Sequence, residues 1–255
     1  MIDPGIRTPL VDSFRRGEVA KDIRLQAARG ELAPRGVEQL AVLLILTEDA
    51  EAEIRETAAA TLKSVPRSAL EGLSARTDLP GEMRRWLDEQ GITPAAAAPA
   101  SDEPLVETGE PEKTDAATPG GAAQLATMSV MQKMKVATRG TREARAVLIR
   151  DPNRLVASAV LSSPKLTENE IEGFARMANV AEEVLRVIGM NRSWIKKYGV
   201  VANLVRNPKT PVGLSLQLLN RLTEKDVKML TTDRNVPEPV RIAARKKVSE
   251  KASTR

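Results

Sequence analysis

Arg206-Asn207-Pro208-Lys209-Thr210-Pro211-Val212 and Arg234-Asn235-Val236-Pro237-Glu238-Pro239-Val240 read as two copies of one phrase, 28 residues apart. Each sets a helix-ending Asn ahead of prolines suited to a loop or a first helical turn, and a Val then opens the next apolar face. Outward from these copies, Asp151, Asn179, Asn207 and Asn235 keep the 28-residue spacing, and Val156, Val184, Val212 and Val240 follow each by five. Thirteen residues before Asn179, Asn207 and Asn235 stand Leu166, Trp194 and Leu222. Ile171, Gly199 and Val227 come five further on, and Phe174, Ala202 and Leu230 three beyond those. Such offsets gather apolar side chains on one face of a helix. A 28-residue unit of two short helices is a helical hairpin that cannot bury its apolar face alone, so it must stack on neighbours.

The unit recurs nearer the N-terminus. Val65, Leu70, Leu73, Asp78 and Met83 lie 101 residues before Leu166, Ile171, Phe174, Asn179 and Val184, and a looser copy uses Leu32, Val37, Leu40, Asp49 and Ile54. Together with Asp49 to Ala58 around Ile54-Arg55 and Asp78 to Trp86 around Met83-Arg84, the phrases resemble the repeats of HEAT-like and leucine-rich-repeat-variant proteins, in which such a loop precedes a Val-Arg-x-Ala helix. The resemblance covers the chain except for residues 91–127 and the ends. It implies an all-α fold, an α-solenoid of roughly 28-residue two-helix repeats, and a protein that works as an interaction surface. Some leucine-rich-repeat-variant proteins carry an iron–sulfur cluster on Cys ligands, and this chain has no Cys. No cofactor is therefore expected.

Between Gly91 and Thr127 the composition turns to Ala, Pro, Gly, Thr and acids, and Pro94, Pro99, Pro104, Pro111 and Pro119 interrupt any helix. The expected organisation is an N-terminal helical-repeat segment over 1–90, a disordered linker over 91–127 and a C-terminal helical-repeat domain over 128–255. As a flexible coil the linker would span about 35 Å. Cutting at Thr127 leaves 14 basic and 22 acidic residues before the cut, net −8, and 25 basic and 12 acidic after it, net +13. A basic C-terminal half suits a polyanionic partner, is shielded by the acidic half, or is simply a well-solvated surface.

With no His and no Cys, imidazole and thiol nucleophiles, Ser/His/Asp triads and N/S zinc sites are all excluded. Carboxylates, Lys and Ser remain, but no spacing marks out a catalytic set, and the chain is expected not to be an enzyme. The longest apolar run, Leu40 to Leu46, is short of the roughly 20 residues of a membrane span. Met1-Ile2-Asp3-Pro4 lacks the regions of a secretory signal, so a cytoplasmic protein without membrane contact is expected.

Two constellations are candidates for partner binding. Arg192, Lys196, Lys197 and Tyr198 give the middle repeat a basic patch with an exposed aromatic, since Tyr198 stands where its neighbours have Glu170 and Asp226. Arg150, Arg206 and Arg234 each precede a repeat Asn or Asp, and stacking would align them into a ladder suited to bidentate capture of carboxylate or phosphate. The alternative for the ladder is a cation in the last helical turn, bound to its free carbonyls. For the patch it is an ordinary solvated face. Trp194 is expected in the core because its equivalents are leucines. Met128, Met131 and Met134 are expected on a helix closing the end of the C-terminal stack, or else on an adaptable docking surface. Arg245-Lys246-Lys247 and Lys251 to Arg255 are expected to form a polar cap and frayed tail.

The first functional reading is a scaffold whose basic C-terminal repeats bind an acidic protein or peptide. A second is sequence-independent nucleic-acid binding by the same surface. A remote third, a DNA glycosylase of HEAT-like fold, needs an aromatic-lined pocket that so few aromatics hardly supply. The sequence leaves the oligomeric state open.

Overall fold

The computed structural model describes residues 3–32, 34–99, 102–106, 108 and 122–253. Among them are sixteen α-helices, one 3-10 turn and no strand, so the fold is all-α. The chain forms two compact units, Met1–Leu166 and Thr167–Arg255.

Unit 1 holds α1 (Pro9–Arg15), α2 (Lys21–Ala28), α3 (Gly36–Leu46), α4 (Ala52–Ser64), α5 (Arg67–Ser74), α6 (Gly81–Glu89), α7 (Ala122–Thr127), α8 (Val130–Arg139), α9 (Arg142–Leu148) and α10 (Arg154–Leu161). Every residue of α3 is buried, because its near-continuous apolar run leaves no solvent face. It packs against α1, α2 and α4, while α1 also packs on α10 and α10 on α8. Helix starts follow local chemistry: Ser129 and Gln132 make a reciprocal capping box at α8, and Asn153 caps α10 by accepting from Leu155 N at 2.9 Å.

The units therefore do not divide at the Pro-rich segment. Residues 128–166 join the N-terminal helices, with Lys135 paired to Glu31 at 2.7 Å and Arg35 N donating to Ser162 O at 3.1 Å. The described part of 91–127 is not a free spacer either. Ile92 and Leu105 are buried, Ala95 N donates to Glu71 O, and Leu125 of α7 is buried where that helix meets α9. The physical reason is that a few aliphatic side chains, invisible in a composition dominated by Ala, Pro and acids, each find apolar surface. Residues 100–101, 107 and 109–121 lie outside the described residues. The new boundary also redistributes charge. Residues 1–166 carry 22 basic and 24 acidic side chains (22 − 24 = −2), and 167–255 carry 17 and 10 (17 − 10 = +7).

The methionine segment is corrected as well. Met131 and Met134 are buried on α8 inside unit 1, so they neither close a C-terminal stack nor offer a docking surface.

Unit 2 holds α11 (Glu168–Arg176), α12 (Glu182–Met190), the 3-10 turn Trp194–Lys196, α13 (Tyr198–Arg206), α14 (Val212–Leu219), α15 (Glu224–Leu230) and α16 (Glu238–Ser253). Helix α11 packs on α13, α14 on α16, and α15 on α16. Its core is built from Ile171, Phe174, Val184, Leu185, Ile188, Val201, Leu204, Val227, Leu230 and Val240. The C-terminal cations do more than solvate an end. Arg245 donates to Thr231 O, and Lys247 Nζ reaches Leu219 O at 3.2 Å and Asn220 Oδ1 at 2.9 Å, which holds α16 to the ends of α15 and α14. Of the expected frayed tail, 254–255 lie outside the described residues.

Candidate functional site

Three of the repeat Asn and Asp positions, Asp49, Asp151 and Asn207, tie loops to earlier helices. Asn207 is buried; its Nδ2 donates to Ala175 O and Met177 O, each at 2.9 Å, while its Oδ1 accepts from Lys209 N at 3.0 Å. Asp151 accepts from Asn153 N and pairs with Lys133 at 2.9 Å, and Asp49 accepts from Glu51 N and pairs with Arg24 at 2.8 Å. In each case one carboxyl or amide closes an Asx turn and also grips an earlier helix. The Arg after the apolar helix opener has a matching task. Arg55 donates to Asp49 O and Ala50 O, Arg84 to Ser74 O and Arg76 O, and Arg241 to Asp233 O, satisfying carbonyls that a helix end or loop leaves open. These motif residues are architectural.

Arg150, the first member of the expected ladder, is exposed in unit 1 and turns its Nε back to Ala146 O at 2.9 Å, the last-turn role weighed above. Arg206 and Arg234 belong to unit 2. Arg234 is exposed in the loop before α16. Arg206 forms an ion pair with Asp226 at 2.5 Å. Asp226 also accepts from the Tyr198 hydroxyl and, at 2.9 Å, from Thr223 Oγ1. The structure thus brings the ladder's Arg206 together with the patch's Tyr198, through two residues outside both sets. The missed signal was the Thr-x-x-acid capping pattern, present at Thr167-Glu170 and again at Thr223-Asp226. In the middle repeat the acid is replaced by Tyr198, whose hydroxyl caps the neighbouring helix instead by accepting from Thr223 N at 3.1 Å.

Asp226 is where this network meets charge. The hydrogen bond from Tyr198 holds its carboxyl below the ordinary range, Thr223 and Arg206 act the same way, and burial opposes them. A depressed folded value stabilises the fold above the unfolded pKa of about 3.9 and loses that contribution as pH falls through the folded one. Tyr198→Phe should accordingly cost about 0.5 to 1.5 kcal/mol at pH 7 in urea unfolding, with the gap to wild type narrowing as pH falls below about 4. A gap that does not narrow would show that Asp226 is not held this way.

In the patch, Lys197 pairs with Glu168 at 2.7 Å, both side chains being exposed, so the pair contributes little to stability. Arg192 and Lys196 are exposed and form no ion pair among the described residues. Trp194 is half-buried, not core. Asn191 Oδ1 accepts from Ser193 N and Trp194 N, which bends the chain into the 3-10 turn and leaves the indole on a connection outside any helix. Just before this turn, Met190 is 71% exposed, and Tyr198 just after it is 43% exposed. Met229 and Ile242 are exposed on α15 and α16.

Among the described residues no cluster of three or more carboxylates is placed to hold a metal ion, and no helix is long and apolar enough to cross a membrane. No known protein family, curated protein or solved structure matches the chain.

Proposed function

We propose that the chain is an α-solenoid scaffold without catalytic activity, and that unit 2 docks an acidic segment of a partner protein that also carries aliphatic side chains. The solenoid reading draws support from helix positions. Arg154, Glu182 and Glu238 open α10, α12 and α16 at steps of 28 and 56, and Glu168 and Glu224 open α11 and α15 56 apart. Neighbouring hairpins pack like on like, α11 with α13 and α14 with α16.

The observation that carries the partner's chemistry is the mixture on the surface of unit 2. Its net charge of +7 comes with unpaired Arg192 and Lys196 within a few residues of exposed Met190 and Tyr198. Cations alone suit any polyanion, whereas exposed apolar groups beside them favour a partner that offers aliphatic side chains between its acids. A nucleic-acid backbone would make no use of Met190, Met229 or Ile242.

Charge reversal tests this reading on the full chain, since α8 to α10 belong to unit 1 and a fragment starting at 128 would carry them away from their packing partners. Arg192→Glu combined with Lys196→Glu should weaken binding of a labelled peptide of alternating Glu and Leu pairs about ten-fold, the sum of two reversed exposed pairs. Unchanged binding would leave the patch an ordinary solvated face.

A further inference from the structure

Residues 102–106 and Thr108 lie along unit 1 as a bound peptide lies in a receptor. Gln39 of α3, buried at the helix's first turn, reads one peptide unit from both sides. Its Nε2 donates to Val106 O at 2.6 Å, and its Oε1 accepts from Val106 N at 2.9 Å. Two residues on, Thr108 N donates to Gly30 O at 3.3 Å, its hydroxyl donates to Arg29 O, and its carbonyl accepts from Arg139 Nη2 at 3.2 Å. Main-chain contacts at Val106 and, two residues on, at Thr108 are of the kind by which a receptor holds a peptide backbone.

The side chains before Val106 are also accommodated. Leu105 is buried, and Asp102 pairs with Arg76 at 3.1 Å, both side chains about one-fifth exposed. Two glycines make the space. A Cβ at Gly36 would stand 2.6 Å from Glu103 O, and one at Gly30, whose φ of +76° already favours glycine, would stand 3.0 Å from Val106 Cγ1. Among the described residues the clamp is a side-chain amide, the carbonyls of Arg29 and Gly30 at the C-terminal end of α2, and an arginine.

We propose that the groove lined by Gly30, Gly36, Gln39, Arg76 and Arg139 is a peptide-binding site for an acidic, Pro-Leu-Val-containing segment of another protein, and that residues 102–106 and Thr108 occupy it in cis as a tethered competitor. The pattern recognised is an acid for Arg76, a buried Leu, a residue clamped by Gln39 and a hydroxyl residue two further on. Tethering gives the cis segment an effective concentration of order millimolar, so an outside peptide gains access only when it outcompetes the tether or the tether is released. This site is on unit 1 and is independent of the basic surface of unit 2.

The test uses the full chain and a fluorescein-labelled peptide of sequence Asp-Glu-Pro-Leu-Val-Glu-Thr. In a variant whose residues 102–108 are replaced by Gly and Ser, the peptide should bind at least about ten-fold more tightly than to wild type, because the competitor is gone. Adding Gln39→Ala to that variant should abolish the gain, while circular dichroism and the melting temperature of the replaced chain stay close to wild type. The proposal is overturned if the replaced chain keeps its fold and does not bind the peptide, or if binding ignores Gln39→Ala. It is equally overturned if replacing 102–108 unfolds unit 1, which would make the segment a structural staple.

Discussion

Phe174→Ala should cost unit 2 about 3 to 5 kcal/mol, while Trp194→Ala, a larger deletion by volume, should cost only about 1 to 2. Phe174 is 1% exposed on α11 and belongs to the largest fully buried side chains of the protein, so its removal leaves a cavity that rigid neighbours cannot fill. Trp194 sits half-buried on the 3-10 turn fixed by Asn191, and water can take over part of the surface it covers. Urea unfolding of both variants decides between the two placements of the indole. A larger loss at Trp194 than at Phe174 would restore it to the core, where its leucine equivalents suggested it belonged.

The second large effect runs in the opposite direction, because Glu38→Gln should stabilise the protein at neutral pH. Glu38 is 4% exposed on the apolar helix α3, and its Oε2 finds no hydrogen-bond partner. Burial pushes its carboxyl above the ordinary range, and Asp102 adds to this. Arg35 and hydrogen bonds with Ser162 and Thr8 pull it back down. With the folded value raised, the folded state holds its proton after the unfolded state has lost it. Stability therefore declines as pH rises from the unfolded value near 4.3 towards the folded one. The glutamine variant cannot ionise, so that decline should disappear, and at pH 7 it should be more stable by on the order of 1 kcal/mol, the cost of the raised carboxyl being removed. Melting temperatures of both proteins between pH 4 and 8 check this. Parallel curves would mean that Glu38 is compensated within the fold.

How much of this could be read in the sequence depends on the range of the interaction concerned. Helical character and most inward positions were legible, because the offsets linking Ile171 to Phe174 and Val227 to Leu230 are the local geometry of a helix, and all four are buried. The same rule failed at Val212, which is exposed: Pro211 caps α14 and the helix opens at Val212 itself. The exposure of Tyr198 was legible from the acids at equivalent positions, but its partner Asp226 was not, since that bond joins residues 28 apart through a Tyr standing where a capping acid would be. The unit boundary was hidden for a different reason. Proline and acid content argues for a spacer, yet docking depends on where Leu105, Val106 and Leu125 meet apolar surface, and composition carries no such information. Gln39 could have raised a question, as it stands with Glu38 in an otherwise apolar run, and buried polar side chains have to find partners.

The functional reading rests on unit 2 offering cations and apolar side chains together, and one binding experiment separates it from its rival. Fluorescence anisotropy of the full chain at physiological salt should compare three ligands: a peptide of alternating Glu and Leu pairs, an all-Glu peptide of equal charge, and a DNA duplex. The Glu-Leu peptide should bind most tightly, the all-Glu peptide more weakly because Met190, Met229 and Ile242 gain nothing from it, and the duplex least. The opposite order, with the duplex tightest and its affinity falling with salt in proportion to the phosphates neutralised, would contradict the account and make unit 2 a nucleic-acid-binding surface.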